Sequence, residues 1–264
     1  ILIIYNFFMN KIAPFDRLLN IMDELREKCP WDQKQTMESL THLTIEETYE
    51  LVDSILDKDM SEVKGELGDL LLHIVFYSKI ASETNDFDIN DVINSICDKL
   101  IQRHPHVYGN EIIKNEEDVK KNWEMIKLKN GKKTVLQGVP KSLPAMVKAT
   151  RIQEKVKGVG FDWDNKEQVF EKVKEEFYEL HLEIKRTDNQ EKIEKEFGDV
   201  LFSMINYARF IGVDPESALE RTNKKFIGRF NYLEQEVKNN NLDLMKMTLE
   251  EMDLIWVKSK TKFP

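Results

Sequence analysis

Cysteine, glycine, proline and histidine are all scarce in this chain of 264 residues, which has Cys 2, Gly 10, Pro 7 and His 5. Cys29 and Cys97 are far apart and neither lies in a Cys-x-x-Cys. That excludes a disulfide scaffold and a cysteine zinc site, and two free thiols fit a reducing, cytoplasmic setting. So little glycine and proline favours long helices over many turns. No run approaches the ~18 apolar residues of a membrane span. The apolar opening "ILIIYNFF" lacks the basic segment and small-residue cleavage site of a signal peptide, and Met9 just after it is read as the true start. Positive charge is short as well. Lys+Arg number 39 against 48 Asp+Glu, a net charge of −9, whereas general nucleic-acid binding needs clustered cations. There is no Gly-x-x-x-x-Gly-Lys-Ser/Thr loop, no Gly-x-Ser-x-Gly and no Glu-x-x-His. Their absence excludes a P-loop nucleotide binder, removes the case for a covalent serine nucleophile and argues against a ferritin-like di-iron bundle.

What remains is 41% hydrophobic and 33% charged, a soluble globular composition of one to two domains. The chain repeats itself. Trp31-Asp32 and Trp163-Asp164 each open a stretch that continues through a Glu-Glu pair (Glu46-Glu47, Glu175-Glu176), a tyrosine (Tyr49, Tyr178) and a further glutamate (Glu50, Glu179). After a break come "ELGDLLL" from Glu66 and "EFGDVLF" from Glu196, then Tyr77 and Tyr207, each eight residues past the aspartate. Matches in one order at nearly constant offset mark two copies of one unit, over 15–128 and 145–262, joined by a Gly- and Pro-punctuated linker over 129–144. Leu67, Leu70, Leu71, Ile74, Val75 and Ser78 follow the i, i+3, i+4, i+7 rhythm, as do Phe197, Val200, Leu201, Met204, Ile205 and Ala208. Asp32 and Asp164 are expected as N-caps, and Asp214-Pro215 as a helix start. No alternating strand pattern of useful length appears. The fold expected is all-α, two tandem helical-bundle units.

Residues three or four apart share a helix face. Glu47 with Glu50, and Glu66 with Asp69, therefore point the same way on two helices whose short connection makes them antiparallel. Glu176 with Glu179, and Glu196 with Asp199, repeat the arrangement. Four carboxylates converging in each copy would repel strongly, and bound divalent cations resolve this at low cost. All-oxygen ligation suits Mg²⁺, or Mn²⁺ in its place, with substrate phosphate completing the shell. The mid-helix glycines Gly68 and Gly198 cost about 1 kcal/mol each against alanine, and a neighbouring helix close beside the carboxylates is the expected return. Cations lie near: Lys225 and Arg229 downstream of the second set, Lys99 and Arg103 downstream of the first, a combination suited to phosphate oxygens. Lys172 and Lys192 precede Glu176 and Glu196 by one turn, which also fits ordinary i, i+4 ion pairs. Trp256 and Trp123 are placed to stack on a base, or to serve as core aromatics.

The motifs "CPWDQKQTMESL", "EETYEL", "GELGDLL", "RHPHVYG", "VGFDW" and "TNKKFIGRF" resemble the MazG nucleoside triphosphate pyrophosphohydrolases over almost the whole chain from Phe15. The resemblance implies an all-α NTP pyrophosphatase fold and a homodimer. It also implies Mg²⁺-dependent hydrolysis of nucleoside triphosphates to monophosphate and pyrophosphate, with broad base tolerance. Carried over by position, it makes Glu176, Glu179, Glu196 and Asp199 metal ligands and catalytic residues, and Lys172, Lys192, Lys225, Arg229 and Trp256 nucleotide contacts. Glu47, Glu50, Glu66 and Asp69 form the corresponding metal set of the first copy, ranked second because Leu43 and Glu62 stand where the second copy has lysines. Two alternatives stand beside this: a narrower dUTP or phosphoribosyl-ATP pyrophosphohydrolase, and a non-catalytic helical dimerisation module. No nucleic-acid or membrane partner is expected.

Overall fold

A computed structural model describes residues 13–111, 119, 122–123, 126, 134–186 and 189–263. Met9 and the start of the expected 129–144 linker lie outside them. The described residues contain helices and turns but no strand, and none of the helices is long and apolar enough to cross a membrane. The chain divides into two compact units, Ile1–Ile113 and Lys114–Pro264.

In the first unit, α1 (Pro14–Lys28) opens with proline at its favoured first position. A 3-10 turn, Asp32–Lys34, leads to α2 (Met37–Asp57). The cap of α2 corrects the sequence reading. Asp32 is buried in the 3-10 turn, and Thr36 caps the helix in a reciprocal box with Ser39. Lys58 in the left-handed region (φ 60°) ends α2, and Asp59 caps α3 (Met60–Glu83) by accepting from the Ser61 and Glu62 amides. So tight a link returns α3 antiparallel to α2. Next come α4 (Ile89–Arg103), capped by Asp88, and the single turn α5 (Pro105–Tyr108). Met22, Leu40, Val75 and Phe76 form the core, with Leu18, Leu19, Leu43 and Leu72 packed around them. Burial stabilises each such side chain by about 1.5–3 kcal/mol.

The second unit repeats the plan with α6 (Ala145–Lys157), α7 (Lys166–Ile184) and α8 (Gln190–Phe210), then adds a long α9 (Pro215–Asn239), a 3-10 turn (Leu244–Lys246) and α10 (Leu249–Lys262). The cap of α7 is Asn165, accepting from the Gln168 amide, and not the expected Asp164. Asp214 with Pro215 opens α9 as expected. Val169, Val173, Leu180, Val200 and Ile205 are buried between α7 and α8.

The apolar stripes of α3 and α8 divide. Val75, Val200 and Ile205 enter the cores, while Leu67, Leu71, Ile74, Phe197, Leu201 and Met204 remain 39% to 54% exposed. Each of these helices is apolar on two faces, one used inside its own unit and one left open. The glycine expectation is also corrected. A Cβ built at Gly68 or Gly198 meets nothing within 4 Å, so no helix of the same unit crowds either position.

Candidate active site

The hairpin of α7 and α8 brings Glu176, Glu196 and Asp199 together, with one oxygen from each within 4.8 Å of the others. Helical spacing explains it: Glu196 and Asp199 are three apart on α8, and the antiparallel α7 delivers Glu176 opposite them. Glu176 is buried. The Oε2 of Glu196 is buried with no hydrogen-bond partner. A buried carboxylate oxygen left unmatched in this way fits a cation-binding donor set. Glu179, one turn past Glu176, stands exposed on α7 outside the three-residue cluster.

Lys172 Nζ donates to Glu175 Oε1 and Glu176 Oε1, each at 2.8 Å. These bonds raise its pKa well above the ordinary lysine value. It remains a cation at the edge of the cluster, tied to one of the three carboxylates. Lys192 is exposed on the first turn of α8. Lys195, rather than Lys192, reaches toward Glu196, at 4.0 Å.

Lys225, Arg229 and Trp256 belong to the α9–α10 pair. Arg229 Nε donates to the Phe263 carbonyl at 2.9 Å, and Phe226, between the two cations, packs on Trp256 with ring centroids 5.0 Å apart. The structure thus sorts the expected second-copy residues into a carboxylate–Lys172 group on the α7–α8 hairpin and a basic–aromatic group on α9–α10. A cavity of about 170 Å³ adjoins the carboxylates, walled by Trp163, Lys172, Glu176, Asp199, Phe202 and Asn206. It shares Trp163, Phe202 and Asn206 with a larger cavity of about 470 Å³. Sequence reasoning used Trp163 only as a repeat marker and missed Asn206. The available signal was that position 206 differs in character from its repeat counterpart, Phe76.

The first unit brings Glu47, Glu66 and Asp69 within 4.8 Å of one another, and Glu50 stands exposed on α2. The Oε2 of Glu66 is likewise buried without a partner. Burial first, then the neighbouring carboxylates, push Glu47 and Glu66 up from the ordinary glutamate range. Leu43 occupies the place of Lys172. His73 replaces Ser203, its Nδ1 2.6 Å from Thr44 Oγ1, which is itself 2.7 Å from the Tyr77 hydroxyl. Phe76 replaces Asn206 and is buried in the core. Lys99 and Arg103 line an open groove on α4.

Two helical units, each with a carboxylate cluster that could hold a metal ion and one with an adjoining cavity, define an all-α protein with a repeated acidic site. The profile of the MazG nucleotide pyrophosphohydrolase domain matches residues 35–108 and 164–233, once in each unit. The chain is 41% identical over 260 residues to a nucleoside triphosphate pyrophosphohydrolase of Escherichia coli, covering 96% of this chain and 98% of that protein. It is 44% identical over 251 residues to a Thermotoga maritima protein named nucleoside triphosphate pyrophosphohydrolase/pyrophosphatase MazG, covering 93% and 95%. A Bacillus subtilis protein, YabN, matches at 42% over 93% of this chain but 51% of its own length. The chain belongs to the MazG nucleotide pyrophosphohydrolase family. It is an enzyme, a hydrolase acting on pyrophosphate bonds.

Proposed function

We propose that the chain hydrolyses nucleoside triphosphates to monophosphate and pyrophosphate, using Mg²⁺ or Mn²⁺, with broad base tolerance, in the cytoplasm and as a homodimer. The observation that carries this is the cluster of Glu176, Glu196 and Asp199 with Lys172 at its edge and a cavity beside it. Those three carboxylates would hold the cation, and Glu179, which stands outside the cluster on α7, is the fourth donor that the family resemblance implies. A bound divalent cation neutralises phosphate oxygens and lowers the pKa of water. Lys172 fixes Glu176 and offers its remaining proton to a phosphate oxygen. A carboxylate of the set accepts the proton of the attacking water as the bond between the nucleotide and pyrophosphate breaks. Lys192, Lys225 and Arg229 supply further charge for the triphosphate, and Trp256 an apolar surface beside it. The open apolar faces of α3 and α8 support self-association, since contiguous exposed apolar surface marks an interaction site.

In this reading the second unit does the chemistry. The first holds a cation through Glu47, Glu66 and Asp69, but Leu43 supplies no charge and Phe76 fills the equivalent of the nucleotide cavity. The test is direct. Incubate the full chain with several nucleoside triphosphates and Mg²⁺, and resolve the products. Monophosphate with pyrophosphate is expected, and diphosphate with orthophosphate would sink the proposal. Turnover compared across ATP, GTP, dUTP and phosphoribosyl-ATP separates the broad enzyme from its narrower relatives.

A further inference from the structure

The larger cavity of the second unit begins where the carboxylate cavity ends. Trp163, Phe202 and Asn206 belong to both, and Ile152, Val156 and Phe161 continue the larger one with mostly apolar walls. At about 470 Å³ it is a ligand-sized space. Its lip is built by the end of α6. Gly160 takes a positive φ of 87°, and the Phe161 amide donates back to the Val156 carbonyl at 3.0 Å. This closure turns the chain so that Phe161, Asp162 and Trp163 come over α8.

Asn206 stands seven residues after Asp199 on α8, on the same face and about 10 Å along the axis. That span suits a ligand whose phosphates lie at the carboxylates and whose ring lies at Asn206. The orientation of Asn206 is determined by its neighbour. Arg209 donates to its Oδ1 from Nε at 3.2 Å and from Nη2 at 2.7 Å. Asp162 holds Arg209 in turn, through Nη1 at 2.9 Å and through Nη2. A guanidinium has only donors, so it fixes the carbonyl end of Asn206 toward itself. The Asn206 amide NH₂ is left as a donor beside the cavity, its acceptor already taken.

We infer that this cavity is the nucleobase site of the enzyme, with the ring against Trp163 and Phe202, and that Asn206 reads the O6/N7 edge of a purine as a donor only. The inference rests on the triphosphate reading of the same site. An asparagine with both ends free pairs with adenine by donating to N7 and accepting from N6. Asn206 cannot, because Arg209 occupies its carbonyl. A 6-oxopurine offers acceptors at both O6 and N7, whereas adenine sets its N6 donor against the amide. Broad tolerance comes from the apolar walls, and the preference laid over it is for the oxo base. Arg209 and Asp162 are positioning residues, acting through the orientation of Asn206.

The test uses the full chain and the ratio of kcat/KM for inosine triphosphate over ATP. Wild type is expected to favour inosine triphosphate by about tenfold, the discrimination of one good base-edge contact. Asn206→Asp puts an acceptor in place of the amide donor and should drop the ratio about tenfold or more. Arg209→Lys, which keeps the charge but loses the fork, should bring the ratio toward one by freeing Asn206 to turn. Purely structural damage would lower both substrates together and leave the ratio intact. Trp163 is 45% exposed, so its removal is compatible with folding. Trp163→Ala should raise KM about tenfold for both substrates. An unchanged ratio in a folded Asn206→Asp protein, or an unchanged KM in Trp163→Ala, overturns the assignment. Binding of the nucleoside inosine, followed by saturation-transfer NMR, needs no turnover. If wild type hydrolyses no triphosphate but binds inosine in a Trp163-dependent way, the reaction proposed above fails and the base site stands. If it turns over triphosphates with no effect of Trp163, the base site fails alone.

Discussion

The two helical hairpins hold the same carboxylates and differ in what surrounds them. Glu47, Glu66 and Asp69 cluster as Glu176, Glu196 and Asp199 do. Around the second set stand Lys172, Ser203, Asn206 and Arg209, next to open space. At the matching places of the first are Leu43, His73, Phe76 and Lys79, and the place of Asn206 is filled: Phe76 and Leu40 are buried with Met22, and the Arg26 guanidinium lies 5.6 Å over the Phe76 ring. On the proposed reading, the first repeat keeps a carboxylate cluster of the same make-up while the position matching Asn206 has become core. A carboxylate set alone would not suffice on that reading, because a triphosphate also needs cations to meet its charge and room for its ring.

The largest expected effect breaks this comparison if it comes out reversed. Glu176→Gln with Glu179→Gln keeps the shape of α7 and removes charge that would hold the cation. Metal assistance is worth several kcal/mol to a phosphoryl transfer, so activity should fall about a thousandfold. Glu47→Gln with Glu50→Gln should leave the rate within about twofold. The measurement is triphosphate hydrolysis at saturating Mg²⁺, after circular dichroism confirms that both proteins are folded. A dead first-unit variant beside a live second-unit one would make the first copy the enzyme.

Next in size is the filled cavity itself. If Phe76 is core, Phe76→Ala should cost about 3–5 kcal/mol of stability in urea unfolding. Asn206→Ala at the equivalent place lines a cavity already open, so it should cost under about 1.5 kcal/mol, mostly the lost hydrogen bonds to Arg209. Equal costs at the two positions would mean that the two cavities do not differ as described.

The carboxylate pairs were legible in the sequence because three-residue spacing on a helix is a local property, and the repeat displayed it twice. The all-α architecture was legible for the same reason. The caps were not: Trp-Asp precedes each α2-type helix, but Asp32 turns into a buried 3-10 segment and Thr36 or Asn165 takes the capping role, which depends on how the preceding turn packs. Glu50 and Glu179 share a helical face with their partners and still stand outside the clusters, since facing inward is a matter of rotamer and of the opposing helix. Asp162, Asn206 and Arg209 went unread because their meaning arises from a pairing across 47 residues. The contrast with Phe76 was the one hint that composition and spacing offered.

A smaller effect follows from pH. The folded-state pKa values of Glu47 and Glu66 lie above the ordinary 4.5, through burial and then the charge of neighbouring carboxylates such as Glu50 and Asp69. A raised carboxylate pKa means that the fold gains from protonation. The stabilisation is present below the ordinary value and is lost as pH rises through the raised ones. As far as these two groups decide it, metal-free protein should therefore melt lower at pH 7, well above the ordinary value, than at pH near 4.5. Glu66→Gln should flatten that slope and, if the first cluster takes a cation as proposed, blunt the rise in Tm expected on adding Mg²⁺. A slope unchanged by Glu66→Gln would place the pH dependence elsewhere.

The smallest effect asks why each hairpin keeps a glycine beside its carboxylates. Inside either unit the position is open, since a Cβ at Gly68 or Gly198 touches nothing within 4 Å. Helix propensity alone then makes Gly68→Ala and Gly198→Ala stabilising by about 0.8–1 kcal/mol each. The neighbours of both glycines are exposed and apolar, Leu67 and Leu71 in one unit, Phe197 and Leu201 in the other. If a second copy of the chain packs on these faces, a methyl group there has a cost that only the assembled state feels. The expected result is a gain of about 1 kcal/mol for each alanine in urea unfolding at low protein concentration. At high concentration, where mass action favours the dimer, the gain should shrink at the position the partner covers. Sedimentation alongside the melts reads both quantities. A gain independent of concentration at both glycines would leave these faces without a partner and require the dimer to be built elsewhere.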